Sequence, residues 1–453
     1  MIPLPSSFRE RLQTQLGEAY PDFEVALNQP APVSIRINPA KPRLNTDGLE
    51  RVPWCDTGFY LPERPVFTLD PLFQAGAYYV QEASSMLLAE AVKQTVNLSK
   101  PLRVLDLCAA PGGKSTLLAS LLSDKSLLVC NEVIRTRVPI LRENIEKWGF
   151  PNVVISNHDP EDFSGLAGFF DLVLVDAPCS GEGLFRKDPK AVAEWSEASV
   201  QLCALRQQRI LTEAMSLVSE RGVLLYSTCT YNDEENVQNA AMLAEQGFQS
   251  IPLDFPAGWG ITEKKSGDLT GYQCYPHKVK GEGFFLSVFR RKSSTGLLPN
   301  LPRNFKSFKP LQPKQQAALQ PFLQNPTQYS FYVKPNGDLL SLPTALTADF
   351  LRLDVALRNK GMGLDLGTFK GTDFIPSHAL ALSSIVSPQI LGVDLTKEDA
   401  LRYFKKENLI LQEPAKGWLL AKYEGLNLGW LKGVGNRVNN YLPKDWRIRM
   451  DIE

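Results

Sequence analysis

Two cysteines in this chain are placed to do chemistry. Cys179 lies in Asp176-Ala177-Pro178-Cys179-Ser180-Gly181, and Cys229 lies in Tyr226-Ser227-Thr228-Cys229-Thr230-Tyr231. Each follows an apolar, strand-like run, and strand ends in an open α/β sheet are where ligands bind. A thiolate is a strong nucleophile, but an ordinary thiol with a pKa of about 8.5 is only a few per cent ionised at neutral pH. Such a nucleophile needs a positive neighbour, and Lys114, Lys187 or a cationic cofactor are the candidates. Asp176 ends the run Phe169–Val175, where a carboxylate can hydrogen-bond the edge of a flipped base. The other five cysteines, Cys55, Cys108, Cys130, Cys203 and Cys274, read as buried apolar side chains.

A thiol beside a pyrimidine points to one reaction in particular. Carbon 5 of the ring is not nucleophilic enough by itself. A thiolate added to carbon 6 makes carbon 5 enamine-like and able to attack a sulfonium methyl group. The carbon 5 proton must then leave, followed by the thiol, and a second group near the base assists that elimination. Two cysteines, one acid and an adenosyl pocket are the parts required.

The pocket is signalled by a third strand-like run, Leu102–Leu107, leading into Cys108-Ala109-Ala110-Pro111-Gly112-Gly113-Lys114-Ser115. Glycines between a strand and a helix let the backbone approach a ligand closely, and such loops serve phosphates or adenosyl cofactors alike. Gly-Lys-Ser invites a phosphate-loop reading, but that motif needs glycine at position 108, which is Cys. Glu132 follows the second strand, 19 residues after Gly113, and suits a ribose diol. Asp159 follows the next strand and suits either an adenine amino group or a helix cap.

The elements that must hold these residues alternate β and α from Pro101 to Arg290. Strands are expected at Arg103–Leu107, Leu127–Asn131, Val153–Ser156, Leu172–Asp176, Val223–Ser227 and Phe284–Phe289. Helices are expected at Ser115–Leu122, Arg135–Trp148 and Ser199–Ser219. The pattern predicts an α/β fold with a mostly parallel, Rossmann-like sheet and helices on both faces. Before it, residues 1–92 form an N-terminal α+β region, with a strand at Val33–Asn38 and a helix over Tyr78–Val92. The core is assigned 93–292. Residues 293–313, rich in Pro, Ser and Lys, read as a linker. A C-terminal module follows over 314–453, with a helix at Lys397–Glu407 and turns or exposed loops over the Gly- and Asn-rich stretch Tyr423–Pro443.

Composition narrows the class. Among 453 residues, 43% are hydrophobic and 22% charged, as in a globular protein. No apolar stretch approaches the roughly 18 residues that span a bilayer, and no secretory leader is apparent. Seven cysteines without framework spacing fit reduced thiols in a cytoplasmic enzyme, and three histidines with no CxxC pair argue against a structural metal. Net charge is zero, yet residues 291–453 carry 22 Lys+Arg against 14 Asp+Glu. That excess fits a polyanion partner for the C-terminal module.

Asp106–Ser115 (DLCAAPGGKS), Asp176–Gly183 (DAPCSGEG), Tyr226–Tyr231 (YSTCTY), Gln81–Met86 (QEASSM), Ser34–Asn38 (SIRIN) and Tyr275–Phe285 (YPHKVKGEGFF) resemble the Nol/Nop/Sun family of RNA cytosine-5 methyltransferases. The layout is similar to bacterial 16S ribosomal RNA methyltransferases of the RsmF type. Glu424–Trp430 resembles their PUA-like end, expected at about 380–453. The resemblance implies a class I methyltransferase core using S-adenosyl-L-methionine. It implies Cys229 as nucleophile, Cys179 as an aid to product release, and Asp176 in contact with cofactor and cytosine. Cys108, Ala109, Ala110, Pro111, Gly112, Gly113, Lys114, Glu132 and Asp159 would hold the cofactor. It also implies small-subunit ribosomal RNA as partner, a monomer, and no membrane. DNA cytosine-5 methyltransferases place the nucleophile on a Pro-Cys element like Pro178-Cys179, so spacing alone leaves the two thiols open. A non-catalytic RNA-binding factor is the third reading, and the intact motifs count against it.

Overall fold

The computed structural model describes residues 2–293, 301, 303–358 and 361–451, with the backbone alone at 411–415 and 436. The N-terminal region folds the helices Ser6–Leu16 and Tyr20–Leu27 and a small antiparallel sheet of β1 (Val33–Ile37), β2 (Gly58–Leu61) and β3 (Tyr78–Val80), with β1 in the centre. The core follows with β4 (Arg103–Asp106), β5 (Leu127–Asn131), β6 (Val153–Ser156), β7 (Phe170–Asp176) and β8 (Val218–Thr228). It is completed by β9 (Phe248–Ser250), β10 (Thr262–Ser266), β11 (Leu269–Cys274) and β12 (Phe284–Arg291). Their order is β10-β11-β12-β8-β7-β4-β5-β6, with β9 paired to β12. The pairs β8-β7, β7-β4, β4-β5 and β5-β6 are parallel, and β12 runs antiparallel to β8.

The expected mostly parallel sheet is therefore present. Its strands carry apolar residues on both faces because both faces are covered. In β7, Leu172 and Leu174 enter one core and Val173 and Val175 the other. Strand order reverses between β4 and β7, and a crevice opens at the carboxyl ends of strands at such a switch point.

Three local expectations change. The helix predicted over Tyr78–Val92 begins instead as β3, pairing Tyr78 with Ile37 and Val80 with Ile35. The Glu82 carboxylate then accepts the N–H groups of Ser84 and Ser85, both at 2.9 Å, and a tight turn precedes the helix Leu88–Thr95. Helical spacing in the sequence lost here to strand pairing and a side-chain cap. Within the supposed linker, residues 294–300 and 302 lie outside the described residues, but Phe308 and Leu311 are buried and Lys309–Pro310 pairs with Tyr332–Val333. The turn-rich stretch Tyr423–Pro443 is mostly the strand Leu426–Asn440, paired with Ile410–Tyr423. Glu424 and Gly425, both with positive φ, make its tight hairpin turn. Gly429 sits where a Cβ would meet the Tyr403 hydroxyl at 2.2 Å and the His378 ring at 2.9 Å. Its glycine serves close packing.

Arg36 ties the N-terminal region to the core. It is 1% exposed and lies over Trp148. Its Nε donates to Gln81 Oε1 at 2.7 Å, and its Nη2 donates to Thr116 Oγ1 at 2.6 Å and Gly113 O at 3.3 Å. Replacing it strands several buried acceptors. Arg36→Ala should lower unfolding free energy by about 3 kcal/mol, seen as a lower urea midpoint, and Arg36→Lys should recover part of it.

Candidate active site

The chain leaves β4 at Asp106 and turns through Cys108–Gly112 into the helix Gly113–Leu121. Gly112 has φ of 116°, so a side chain there would be strained. The Ala110–Pro111 peptide is cis. Neighbouring segments hold this loop open. Ala109 N donates to Asn131 O at 2.7 Å, Arg137 Nη2 to Ala110 O at 2.6 Å, and Asn144 Nδ2 to Pro111 O at 2.8 Å. A Cβ on Gly113 would lie 3.2 Å from the Tyr79 ring. Between Tyr79–Glu82, the loop, Lys114 and Asp176 is a cleft of about 170 Å³.

Asp106 lines this cleft. It is fully buried, its Oδ2 accepts Ser115 Oγ at 2.6 Å, and its Oδ1 has no partner. Burial pushes its pKa up to about 7. An orphaned carboxylate oxygen in a cleft floored by helix N–H groups fits a ligand with a charged amine and a carboxylate. The amino-acid end of S-adenosylmethionine is such a ligand. The residue types present therefore fit the cofactor.

The structure gathers Cys108, Ala109, Ala110, Pro111, Gly113, Lys114 and Asp176 around this cleft, with Gly112 in the same turn. Glu132 and Asp159, which follow β5 and β6, are not among the residues that line it, and both already have partners. Glu132 Oε1 accepts Ile134 N at 2.8 Å, and Oε2 lies 3.3 Å from Arg137. Asp159 accepts Glu161 N at 3.2 Å and pairs with Arg209 at 2.9 Å, which holds its pKa below the ordinary range. Sequence reasoning gave no role to Asp106 or Tyr79. The signal for Asp106 was available, since an acid closes an otherwise apolar strand.

The thiols meet at the neighbouring strand ends. Asp176 ends β7 beside Ser227 of β8, and Ser227 Oγ donates to Asp176 Oδ1 at 2.8 Å. Past that pair the loops converge, and the Cys179 and Cys229 sulfurs stand 3.0 Å apart. The hydrogen bond to Cys229, with burial behind it, raises Cys179 well above the ordinary thiol range. Cys179 therefore keeps its proton at neutral pH. Lys114 Nζ donates to Asp176 Oδ2 at 2.8 Å. Burial alone would lower the Lys114 pKa, but Asp176, Cys229 and Asp106 together raise it, so the ammonium persists. Lys187 faces Glu282 at 3.6 Å instead. Glu235 holds the Cys179 loop, accepting Ser180 N at 3.0 Å and Gln207 Nε2 at 2.7 Å, while Gln207 Nε2 also reaches Pro178 O at 3.0 Å. Among the described residues no helix is long and apolar enough to cross a membrane, and no group of three His, Cys, Asp or Glu side chains could hold a metal.

Family models match three consecutive parts of the chain. Residues 4–83 match the N-terminal domain of 16S rRNA methyltransferase RsmF, residues 93–290 the 16S rRNA methyltransferase RsmB/F model, and residues 391–448 the methyltransferase RsmF PUA domain. Ribosomal RNA small subunit methyltransferase F of Vibrio vulnificus (strain YJ016) is 31% identical over 98% of both chains. Its counterpart in Vibrio parahaemolyticus is 32% identical, again over 98% of both. A crystal structure of a methyltransferase homolog protein from Pyrococcus horikoshii is 28% identical over 64% of this chain and 96% of that one, with a TM-score of 0.55. With relatives at that identity along nearly its whole length, the chain belongs to the ribosomal RNA small subunit methyltransferase F family.

Proposed function

We propose that this protein transfers the methyl group of S-adenosylmethionine to carbon 5 of a cytosine in 16S ribosomal RNA, through a covalent bond between Cys229 and carbon 6. The observation that carries this reading is the sulfur pair at 3.0 Å, just past the strand ends where Asp176, bonded to Lys114, lines the cleft. The Lys114 ammonium lends positive charge to the Cys229 side of the pair, while Cys179 keeps its proton. The cofactor supplies an electrophilic methyl on a sulfonium. Cys229 adds to carbon 6, carbon 5 takes the methyl and leaves the cofactor as its thioether, water takes the carbon 5 proton, and the Cys229 sulfur is expelled as the ring double bond re-forms. Cys179, protonated beside it, assists that departure, and the 3.0 Å between the sulfurs supports this role. Asp176 faces both partners of the transfer, and the glycine turn with Glu132 and Asp159 holds the nucleoside. The base must leave its stack to reach this depth. The basic C-terminal module docks the RNA, and the working compartment is the cytoplasm.

Two measurements check this reading. Cys179→Ala should accumulate a covalent RNA–protein adduct and Cys229→Ala none, seen as a shifted band on a denaturing gel. The reverse pattern would make Cys179 the nucleophile, as in the DNA enzymes. Bisulfite sequencing of 16S rRNA from a deletion strain should show the loss of a 5-methylcytosine.

Cofactor affinity should depend on pH through Asp106. Its free-state pKa is raised to about 7, and an ammonium bound against it favours the ionised form. Each proton released on binding makes affinity rise with pH, by up to about tenfold per unit below pH 7, and level off above. Calorimetry with S-adenosylmethionine between pH 6 and 7.5 should show this slope. Asp106→Asn should flatten it and weaken binding.

A further inference from the structure

Glu182 lies three residues past Cys179 and is fully buried. Its Oε2 accepts the N–H groups of Tyr231 at 2.9 Å and Asn232 at 3.1 Å, just past Cys229. Its Oε1 accepts Arg11 Nη2 at 2.5 Å, the Trp195 indole N–H at 3.0 Å and Asn232 Nδ2 at 3.2 Å. Gly183 N adds a bond to Cys229 O at 2.8 Å. One carboxylate thus fastens the two cysteine loops to each other. Among the described residues, its ion-pair partner is Arg11 alone. That guanidinium rides on the rings of Phe8 and Trp195, and Gln15, one turn further along the same helix, donates to Tyr231 O at 3.0 Å.

We propose that Arg11 is a positioning residue for methyl transfer. By neutralising Glu182 it sets the placement of the Cys179 and Cys229 sulfurs, so the helix Ser6–Leu16 is part of the active-site geometry. This rests on the reading of those thiols given above. A buried carboxylate that loses its cation must find water or move. Either response shifts the loops on which both sulfurs ride, and a displacement of about 1 Å can cost up to 100-fold in rate.

The test uses the full chain with 16S rRNA from a deletion strain. Arg11→Gln should lower kcat about tenfold, with KM for RNA and Kd for S-adenosylmethionine changed less than about twofold. Arg11→Lys should restore much of kcat. Without RNA, alkylation of Cys229 by iodoacetamide, followed by mass spectrometry, should be several-fold faster in Arg11→Gln. Arg11→Gln with Glu182→Gln leaves no unpaired buried charge, so it should fold even where the single variant does not and should recover much of the kcat that Arg11→Gln loses. An unchanged kcat in folded Arg11→Gln overturns the proposal, as does a loss confined to KM, a lysine variant no better than glutamine, or a doubly neutral variant that folds but turns over as slowly as the single one. Should the unaltered chain form no 5-methylcytosine, the functional reading fails, while a changed alkylation rate still upholds the clamp.

Discussion

The parallel pairing of β7 with β8 is the constraint on which the site depends. Asp176 and Ser227 are register partners, and the ladder continues one step further through Ala177 N to Ser227 O at 2.9 Å. Two chains released side by side, in the same direction and at the same level, bring residues a short way beyond into contact. That is how sulfurs 50 positions apart in sequence reach 3.0 Å. Slippage by one residue would turn each side chain to the opposite face and bury polar groups in the apolar layers. A parallel pair also needs a long crossover. Here it includes the helix Glu197–Leu217, which sends Gln207 back to the Cys179 loop. The connection that makes the pairing possible also braces its product.

Around this pairing the protein buries an unusual number of carboxylates. Asp106, Glu182, Glu235 and Glu282 are each at most 2% exposed. A buried charge is tolerated only with donors in place. Glu235 draws them from Ser180, Gln207 and Asn232, and Glu282 from the Arg186 guanidinium at 3.0 Å. Each satisfied carboxylate joins segments distant in sequence and so fixes a loop that no regular element could hold. Asp106 differs, because one of its oxygens has no donor from the protein. Satisfied acids build the frame, and the unsatisfied one lines the cleft.

Much of the core was legible in the sequence because fully buried parallel strands leave a plain mark: short runs of Leu, Val and Phe ending in Gly, Pro, Asp or Cys. The cysteine loops and the glycine turn were legible for the same reason, since each follows such a run. The rest depends on contacts between distant positions. Arg36 in an alternating strand reads as solvent-facing, and only the fold shows it against Gln81 and Thr116. Glu182 and Arg11 are 171 positions apart and carry no local signal. Asp159 looked like an adenine reader or a cap. Its carboxylate caps the turn that follows, and Arg209 from a helix 50 positions later adds an ion pair that spacing could not reveal. The Gly-rich stretch Tyr423–Pro443 misled because glycine permits both turns and close packing, and Gly429 serves the second.

The N-terminal region is easily mistaken for an appendage, yet it supplies two buried or half-buried guanidinium groups to opposite halves of the site. Arg36 reaches the start of the glycine-led helix, and Arg11 reaches the carboxylate between the cysteine loops. Tyr79, from β3, walls the cleft itself. Arginine suits these tasks because its planar, always charged fork can satisfy several acceptors at once. Holding it away from water is costly, so the arrangement is stable only while every acceptor stays in place. The coupling therefore runs both ways. The core orders the N-terminal region by offering it carbonyls and a carboxylate, and that region fixes the two loops where the core's own hydrogen-bond ladder ends.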